Sequence, residues 1–333
     1  MKRRKTNKDD QLIVEYKLPL PSCHKMERIK FGVQVLQAMP DYATLREVVL
    51  ECERLGFDSV WVYDHLQFTY GPTLECWTVL AALAEATHSI HIGPLVTCNA
   101  FRYPPLLAKM AATVDMISKG RLNFGIGAGW HESEAAAYGI SFPRKSVRIR
   151  MLDEALQIIK RLWTQDEVTF SGKYYQLDRA VSLPKPVQKP HPPILVGGEG
   201  EKMLRIIAKH ANAWNTGFTS PVGFTEVIAR LEKACRETGR DRSELENNFQ
   251  SRIVIAEKDE NALKRAEEWR EEREGAVDDP DWKFAVKGSP ETCGKILQTY
   301  ADVGVTHFTL LFADATTLKP LQLFANDVMP MFR

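Results

Sequence analysis

Short apolar runs alternate with amphipathic stretches along the chain from Lys30 onward. This order is typical of βα units, in which each strand joins a parallel sheet and the next helix covers it. Eight such units fit a closed (β/α)8 barrel of the TIM type, so we predict the α/β class with this architecture. A doubly wound open sheet is the alternative, because a count from sequence can differ by one strand. The predicted strands span 29–36, 59–63, 90–97, 121–125, 194–196, 213–215, 252–256 and 308–312.

The alternation is interrupted after the fourth predicted strand. A long amphipathic helix over 146–163 is followed by a hairpin pattern over 168–177 and then by a proline-rich loop. We expect this segment to be an insertion in the barrel. Residues 26–333 are predicted to form one barrel domain, with 1–25 as an N-terminal extension. Disorder of that extension is favoured over a targeting signal, because no apolar stretch follows its cationic start.

Composition excludes several classes of function. The chain carries 44 Lys and Arg against 43 Asp and Glu, so no net field attracts nucleic acid or an anionic membrane. No apolar run approaches the roughly 18 residues of a membrane span. Six cysteines occur without a C-x-x-C pair, which favours a reduced, cytoplasmic protein. The sequence therefore predicts a local site for a small molecule, with no nucleic-acid or membrane partner.

No metal site is predicted. The pair His131-Glu132 lacks the second histidine of an H-E-x-x-H motif, because Ala135 stands at that position. The pair His88 and His91 has no nearby ligand partners in the sequence.

Two glycine-rich turns follow predicted strands and precede predicted helices. The first is GIGAGWHE at 125–132 and the second is GGEG at 197–200. Glycine lets a ligand touch the main chain, and the first N–H groups of a helix attract an anion. One such turn alone is a weak signal, because a tight strand-to-helix connection needs no ligand. Two turns at the same rim of a barrel predict a phosphorylated ligand.

Other polar and aromatic residues occupy predicted strand ends. Strand two runs directly into Asp64-His65, where a carboxylate can hold a donor and an imidazole can exchange a proton. The alternative is an aspartate that caps a loop beside an uninvolved histidine. Trp130 and Trp214 offer planar surfaces. Together with the turns, these residues predict a flat, phosphorylated, flavin-like cofactor. Two further candidates for the pocket wall, which could equally be ordinary polar residues, are Gln34 and Asn99.

With these residues in place, the chain resembles the bacterial luciferase-like family of flavin and deazaflavin oxidoreductases. The resemblance covers residues 30–333. It depends on GFDSVWVYDH at 56–65, FRYP at 101–104, the turn at 125–132, and LPKPVQKPHPPILVGG at 183–198. The resemblance implies a barrel that binds FMN or coenzyme F420 at the carboxyl ends of its strands, in a homodimer. The F420 branch is closest, because Asp64-His65 and Gly-Trp-x-Glu at 129–132 are typical of it.

The same resemblance assigns roles to individual residues. His65 is expected to be catalytic, exchanging a proton with the substrate during hydride transfer. The peptide Leu95-Val96 is expected to form a bulge, often with a cis bond, that backs the cofactor ring. The substrate pocket is expected to include Gln34, Asn99, Trp130 and Trp214. The expected cofactor-binding residues are Asp64, Leu95, Val96, Thr97, Gly127, Gly129, Trp130, His131, Gly197, Gly198, Glu199 and Gly200.

One departure from the family pattern and three alternatives bear on the function. Relatives that act on a sugar phosphate carry Trp and Glu where this chain has Thr69 and Trp130, which argues against that activity. An FMN-dependent monooxygenase supplied by a separate flavin reductase is the second hypothesis. A non-catalytic cofactor-binding protein is an alternative of another class. A phosphosugar isomerase is disfavoured, because no acidic base is as well placed at a strand end as His65.

Overall fold

The computed structural model describes residues 28–37, 41–67, 72–273 and 280–333. The predicted N-terminal extension lies outside the described residues. The strands are β1 (Lys30–Val35), β2 (Ser59–Val62), β3 (His91–Pro94), β4 (Thr97–Cys98), β5 (Phe124–Gly127), β6 (Val168–Ser171), β7 (Gln176–Ala180), β8 (Ile194–Gly197), β9 (Ala213–Gly217), β10 (Glu246–Ile255), β11 (Val286–Gly288) and β12 (His307–Phe312).

The parallel strands form a closed barrel. Their order is β3-β2-β1-β12-β10-β9-β8-β5-β4, and a parallel bridge between Ile92 and Leu122 joins β3 to the segment that enters β5. Strands β3 and β4 are the two halves of the predicted third strand. Counted as one, they give the barrel the eight predicted strands, with β1, β2, β5, β8, β9, β10 and β12 as the others. The prediction of a closed (β/α)8 barrel is therefore confirmed, and the open-sheet alternative is excluded.

Helices cover the outside of the barrel. They bury their apolar faces against continuous apolar strands such as β2, in which all four residues are buried. The helices are α1 (Tyr42–Arg54), α2 (Cys76–Ala86), α3 (Pro104–Ile117), α4 (Glu132–Ala137), α5 (Lys145–Thr164), α6 (Glu201–His210), α7 (Pro221–Thr238), α8 (Asp259–Glu272), α9 (Pro280–Lys283), α10 (Pro290–Ala301) and α11 (Lys319–Asp327), with 3-10 turns at Arg242–Glu244, Ala315–Thr317 and Met329–Phe332. None of these helices in the described ranges is long and apolar enough to cross a membrane.

The insertion follows β5, as predicted. Strands β6 and β7 form an antiparallel hairpin apart from the barrel, and the carboxylate of Glu154 in α5 accepts hydrogen bonds from three successive backbone N–H groups at its turn, at 173–175. The predicted seventh strand, 252–256, was too short. Strand β10 begins at Glu246 and runs for ten residues, and β11 adds a further parallel strand beside its end.

Polar side chains fill the amino-terminal end of the barrel. Trp61 Nε1 donates to Ser59 Oγ (2.8 Å), which lies 2.9 Å from His307 Nε2, and His307 Nδ1 lies 2.8 Å from Glu246 Oε1. The order hydroxyl, imidazole, carboxylate matches that of a hydrolytic triad. Ser59 is only 1% exposed, however, and its oxygen accepts from an indole, so this cluster is part of the barrel interior.

Electrostatics keep the Glu246 carboxylate ionised. Burial raises the pKa of Glu246, but the hydrogen bond and charge interaction with His307 and the ammonium of Lys30 lower it to about 2. The bond of Lys30 Nζ to the same carboxylate ties β1 to β10. The carboxylate thus connects three barrel strands.

Candidate active site

A cavity of about 580 Å³ opens at the carboxyl ends of the barrel strands. This is within the range of small-molecule and cofactor sites. Of the predicted site residues, its lining includes Gln34, Asp64, His65, Leu95, Val96, Thr97, Gly129, Trp130 and His131, and residues not predicted for the site include Tyr63, Cys98, Phe101, Glu134, Asn215, Phe218, Gln250, Arg252 and Arg273.

The two glycine turns meet at the side chain of Val96. A Cβ placed on Gly127 would lie 2.8 Å from Val96 Cγ2, and one placed on Gly197 would lie 3.7 Å from the same atom. Strand β5 pairs with both β4 and β8, so both turns leave the barrel at its carboxyl rim. The predicted convergence of the turns is confirmed.

The peptide bond between Leu95 and Val96 is cis, as the family resemblance implied. It separates β3 from β4 and lies in the cavity wall. Thr97 follows it, and its hydroxyl accepts a hydrogen bond from Trp77 Nε1 at 3.2 Å. Burial raises the pKa of the neighbouring Cys98 thiol to about 12, so this cavity-lining cysteine is neutral and a poor nucleophile.

The second turn leads into α6 through backbone that favours glycine. Gly198 has a φ of +133°, a conformation that L side chains rarely adopt. Gly200 is the N-cap of α6 and offers no side chain to the first N–H groups. The carboxylate of Glu199 accepts a hydrogen bond from the Thr216 hydroxyl, so it is held by β9.

Asp64 is held by an arginine that the sequence analysis did not single out. Arg102 Nη1 donates to Asp64 Oδ2 (2.7 Å) and Arg102 Nη2 donates to Asp64 Oδ1 (2.9 Å), while Cys98 N donates to Oδ2 (2.8 Å). Burial raises the pKa of Asp64, and Arg102 opposes that effect. Both carboxylate oxygens are already engaged, so Asp64 braces the cavity wall in this structure.

His65 contacts a second buried residue that the sequence analysis missed. Its Nδ1 lies 2.8 Å from Oε2 of Glu134, a side chain with no exposed surface. Trp130 packs its ring against His65 with the centroids 5.6 Å apart, in an edge-to-face arrangement. Trp130 remains 67% exposed, so its ring is available to a ligand. His131 lies beside the same glutamate, at 3.5 Å.

Amide side chains continue from the cavity floor into the barrel. Gln250 Nε2 donates to Gln34 Oε1 (2.6 Å), and one layer below Asn215 Nδ2 donates to Asn248 Oδ1 (2.7 Å). Because each amide carries a donor and an acceptor, this floor can bind either a hydroxyl or a carbonyl.

Two predicted pocket residues lie elsewhere. Trp214 is fully buried and stacks on Phe224 of α7, with its indole N–H bound to the Gly198 carbonyl at 2.9 Å. Its neighbour Asn215 lines the cavity instead, because adjacent strand residues face opposite sides. Asn99 is buried against the Tyr175 hydroxyl (3.3 Å) and does not line the cavity.

One side of the rim carries a cation packed on aromatic rings. The Arg252 guanidinium lies 4.4 Å from the ring centroid of Trp282 and 5.6 Å from that of Trp269. It also donates to Asp281 Oδ2 at 2.8 Å. This pairing balances the charge of Arg252, so the residue mainly shapes the rim.

Sequence comparison with known proteins finds a matching family and several named relatives. The model of the luciferase-like monooxygenase family matches residues 28–307. The F420-dependent glucose-6-phosphate dehydrogenase of Kineococcus radiotolerans is 28% identical over 321 residues, covering 87% of this chain and 93% of that protein. The F420-dependent hydroxymycolic acid dehydrogenase of Mycobacterium tuberculosis is 29% identical over 325 residues, covering 91% of this chain and 88% of that protein.

A solved structure has the same fold. An F420-dependent secondary alcohol dehydrogenase in complex with an F420-acetone adduct superposes with a TM-score of 0.80 at 24% identity, covering 92% of this chain and 100% of the other. The family match spans most of the barrel, from the entry into β1 to the first residue of β12. This chain therefore belongs to the luciferase-like monooxygenase family.

Proposed function

We propose that this protein is a coenzyme F420-dependent oxidoreductase that transfers a hydride between the deazaflavin and an organic substrate held in the cavity. The observation that carries the proposal is the convergence of both glycine turns on Val96, at the rim that also presents His65. Full-length relatives that are named F420-dependent dehydrogenases support the choice of cofactor.

The residues at the rim fit a flat, phosphorylated cofactor. A Cβ on Gly200 would meet nothing within 4 Å, and one on Gly197 would meet only atoms at 3.7 Å or more. Open space therefore lies over the main chain at the start of α6, where helix N–H groups favour a phosphate. Gly127 and Gly129 would border the same phosphate, and Leu95 and Val96 would support the ring.

The chain's own residues would supply orientation and a proton partner. Coenzyme F420, when bound, supplies a carbon that takes up or releases a hydride. His65 would take the hydroxyl proton of an alcohol as its carbonyl forms, and would return that proton in the reverse direction. Gln34 and Gln250 would bind the substrate oxygen, and Trp130 would cover the bound substrate.

We propose an alcohol and its carbonyl product as the substrate pair. The relatives include proteins named for a hydroxymycolic acid and for a secondary alcohol. The amide floor can bind both members of such a pair. Two residues argue against a sugar phosphate: Trp130, which lines the cavity, and Thr69, which lies outside the described residues. Because proteins named F420-dependent glucose-6-phosphate dehydrogenases are among the relatives, glucose 6-phosphate still belongs among the substrates to be tried.

Cofactor binding is the first test. The purified apo-protein is titrated with coenzyme F420 and, separately, with FMN, with binding followed by fluorescence. We expect F420 to bind at least about 10-fold more tightly, a difference of about 1.4 kcal/mol. Tight FMN binding with none for F420 would favour a flavin-dependent monooxygenase supplied by a reductase.

Turnover is the second test. The F420-loaded protein is mixed with 2-propanol or glucose 6-phosphate, and loss of the oxidised deazaflavin absorbance is recorded. His65→Ala is expected to keep cofactor affinity and lose turnover. The alternative of a cofactor-binding protein without catalysis would be favoured by three results together. The protein would bind F420, would not reduce it with 2-propanol or glucose 6-phosphate, and would not oxidise reduced F420 with acetone.

We also propose that the protein is a homodimer. Four apolar side chains near the start of α3 and in the loop after β7 are more than half exposed: Tyr103 (53%), Leu106 (56%), Val181 (59%) and Leu183 (60%). The ammonium of Lys109 bonds to the Leu183 carbonyl, so the two segments are adjacent. Exposed apolar clusters mark interaction surfaces. Light scattering should give twice the chain mass, and Leu106→Glu should shift the protein to the monomer.

A cytoplasmic location is proposed as well. The five cysteines in the described part of the chain are free and buried, a state expected in a reducing compartment. Cell fractionation of the source organism, with activity on F420 as the marker, tests this location.

A further inference from the structure

Glu134 binds three successive residues of the loop that follows β2. Its Oε1 accepts hydrogen bonds from the backbone N–H groups of Leu66 and Gln67. Its Oε2 lies 2.8 Å from Nδ1 of His65. The side chain has no exposed surface, although it belongs to the short helix α4, which follows the first glycine turn. One buried carboxylate thus links the turn after β5 to the loop after β2.

The two oxygens of Glu134 have different tasks. The backbone amides of Leu66 and Gln67 hold Oε1, so the carboxylate cannot rotate without losing both bonds. Oε2 therefore points at the imidazole of His65. A carboxylate only accepts hydrogen bonds, so His65 Nδ1 must be the donor. In the neutral ring the proton is then on Nδ1, and Nε2 is an acceptor.

We infer that Glu134 is a positioning residue, which fixes His65 in the Nδ1-protonated tautomer and thereby presents Nε2 as the acceptor of a substrate hydroxyl proton. This inference rests on the proposed function, because it deepens the role given there to His65. When the ring takes up that proton, the adjacent carboxylate stabilises the positive charge, as in other carboxylate–histidine pairs. Glu134 prepares the site for oxidation of an alcohol.

Glu134→Gln tests the inference with little change in shape. The backbone N–H groups of Leu66 and Gln67 still require an acceptor, so the glutamine oxygen must occupy the place of Oε1. Its NH2 group then faces His65 Nδ1 as a donor. This reverses the hydrogen bond and moves the ring proton to Nε2. The control is Glu132→Gln, an exposed glutamate in the same helix.

The first measurement is the tautomer of His65, from long-range nitrogen–proton NMR correlations of the cofactor-free protein, with His65→Ala used to assign the signals. We expect Nδ1-H in the wild type and in Glu132→Gln, and Nε2-H in Glu134→Gln. The second is turnover of 2-propanol by the F420-loaded proteins. We expect kcat to fall at least about 100-fold in Glu134→Gln, with the Kd for F420 within about 2-fold of the wild type.

The outcomes separate this inference from the proposed function. An Nε2-H tautomer in the wild type overturns the inference even if the glutamine variant fails to fold. An unchanged tautomer and kcat in Glu134→Gln overturn it as well. If His65→Ala turns over as fast as the wild type, the proton role of His65 fails, whereas a reversed tautomer in Glu134→Gln would still establish that Glu134 orients the ring.

Discussion

The Glu246 carboxylate at the amino-terminal end of the barrel leads to a quantitative prediction about stability in acid. Glu246 has its pKa lowered from 4.5 to about 2 in the folded protein. A lowered carboxyl pKa stabilises the fold above the unfolded value of 4.5, and that contribution is lost as the pH falls toward 2. Each pKa unit corresponds to about 1.4 kcal/mol, so the shift from 4.5 to about 2 limits the contribution of the carboxylate to about 3.5 kcal/mol at neutral pH.

Glu246→Gln removes this contribution at every pH. At about pH 6 we expect the variant to have a free energy of unfolding about 2 to 3 kcal/mol below that of the wild type. At about pH 3 more than half of that difference should have disappeared, because the unfolded wild-type chain then binds a proton at Glu246 while the folded carboxylate stays mostly ionised. Urea denaturation followed by tryptophan fluorescence at a series of pH values gives both quantities.

Glu237→Gln is the matched control. Its carboxylate forms an exposed pair with Arg205 at 3.3 Å, and exposed pairs contribute little to stability. The control should therefore unfold like the wild type at neutral pH. If Glu246→Gln and the wild type lose stability in parallel between about pH 6 and pH 3, the linkage argument for Glu246 is refuted.

Three further predictions concern the carboxyl rim. Arg102→Met should destabilise the protein by about 3 to 5 kcal/mol in urea denaturation, because it leaves the Asp64 carboxylate buried and uncompensated. Adding Asp64→Asn to this variant should recover part of the lost stability. Gly200→Ala adds a methyl group in open space, so the melting temperature should fall by only a few degrees. The Kd for F420, titrated by fluorescence, should rise at least about 10-fold, and an unchanged affinity would place the phosphate elsewhere. Trp130→Ala removes an exposed ring and should change the free energy of unfolding by less than about 0.5 kcal/mol, while kinetics with 2-propanol should show a higher KM.

Much of the fold is readable from local pattern. The long amphipathic helix predicted over 146–163 was located to within one residue at each end, as α5 (Lys145–Thr164), because its apolar residues recur at helical spacing. The start of β10 was missed because 246–252 is mostly polar. Alternate side chains of this stretch face a hydrogen-bonded barrel interior, as Asn248 shows in donating to Thr309 Oγ1 at 3.0 Å. A polar strand of this kind has no apolar alternation to reveal it.

The site was predictable where it depends on main chain and less so where it depends on side-chain partners. The glycine turns and His65 were found because chain order places them at strand ends. Arg102 and Glu134 were missed because their partners, Asp64 and His65, are 38 and 69 residues away in the chain. A signal was present at Glu134, an acidic residue in a segment with alanines at 135–137. Such a placement indicates burial without naming the partner.

Val96 lies beside both glycine turns, and the room that it leaves at each turn differs. A side chain added at Gly127 would displace this valine, because its Cβ would lie 2.8 Å from Val96 Cγ2, whereas a Cβ at Gly197 would lie at an ordinary 3.7 Å. The first turn can therefore be enlarged only together with a smaller residue at 96, while the second turn can change alone. Selection experiments that seek altered cofactor use in this barrel should recover substitutions at 127 paired with 96, and single substitutions at 197.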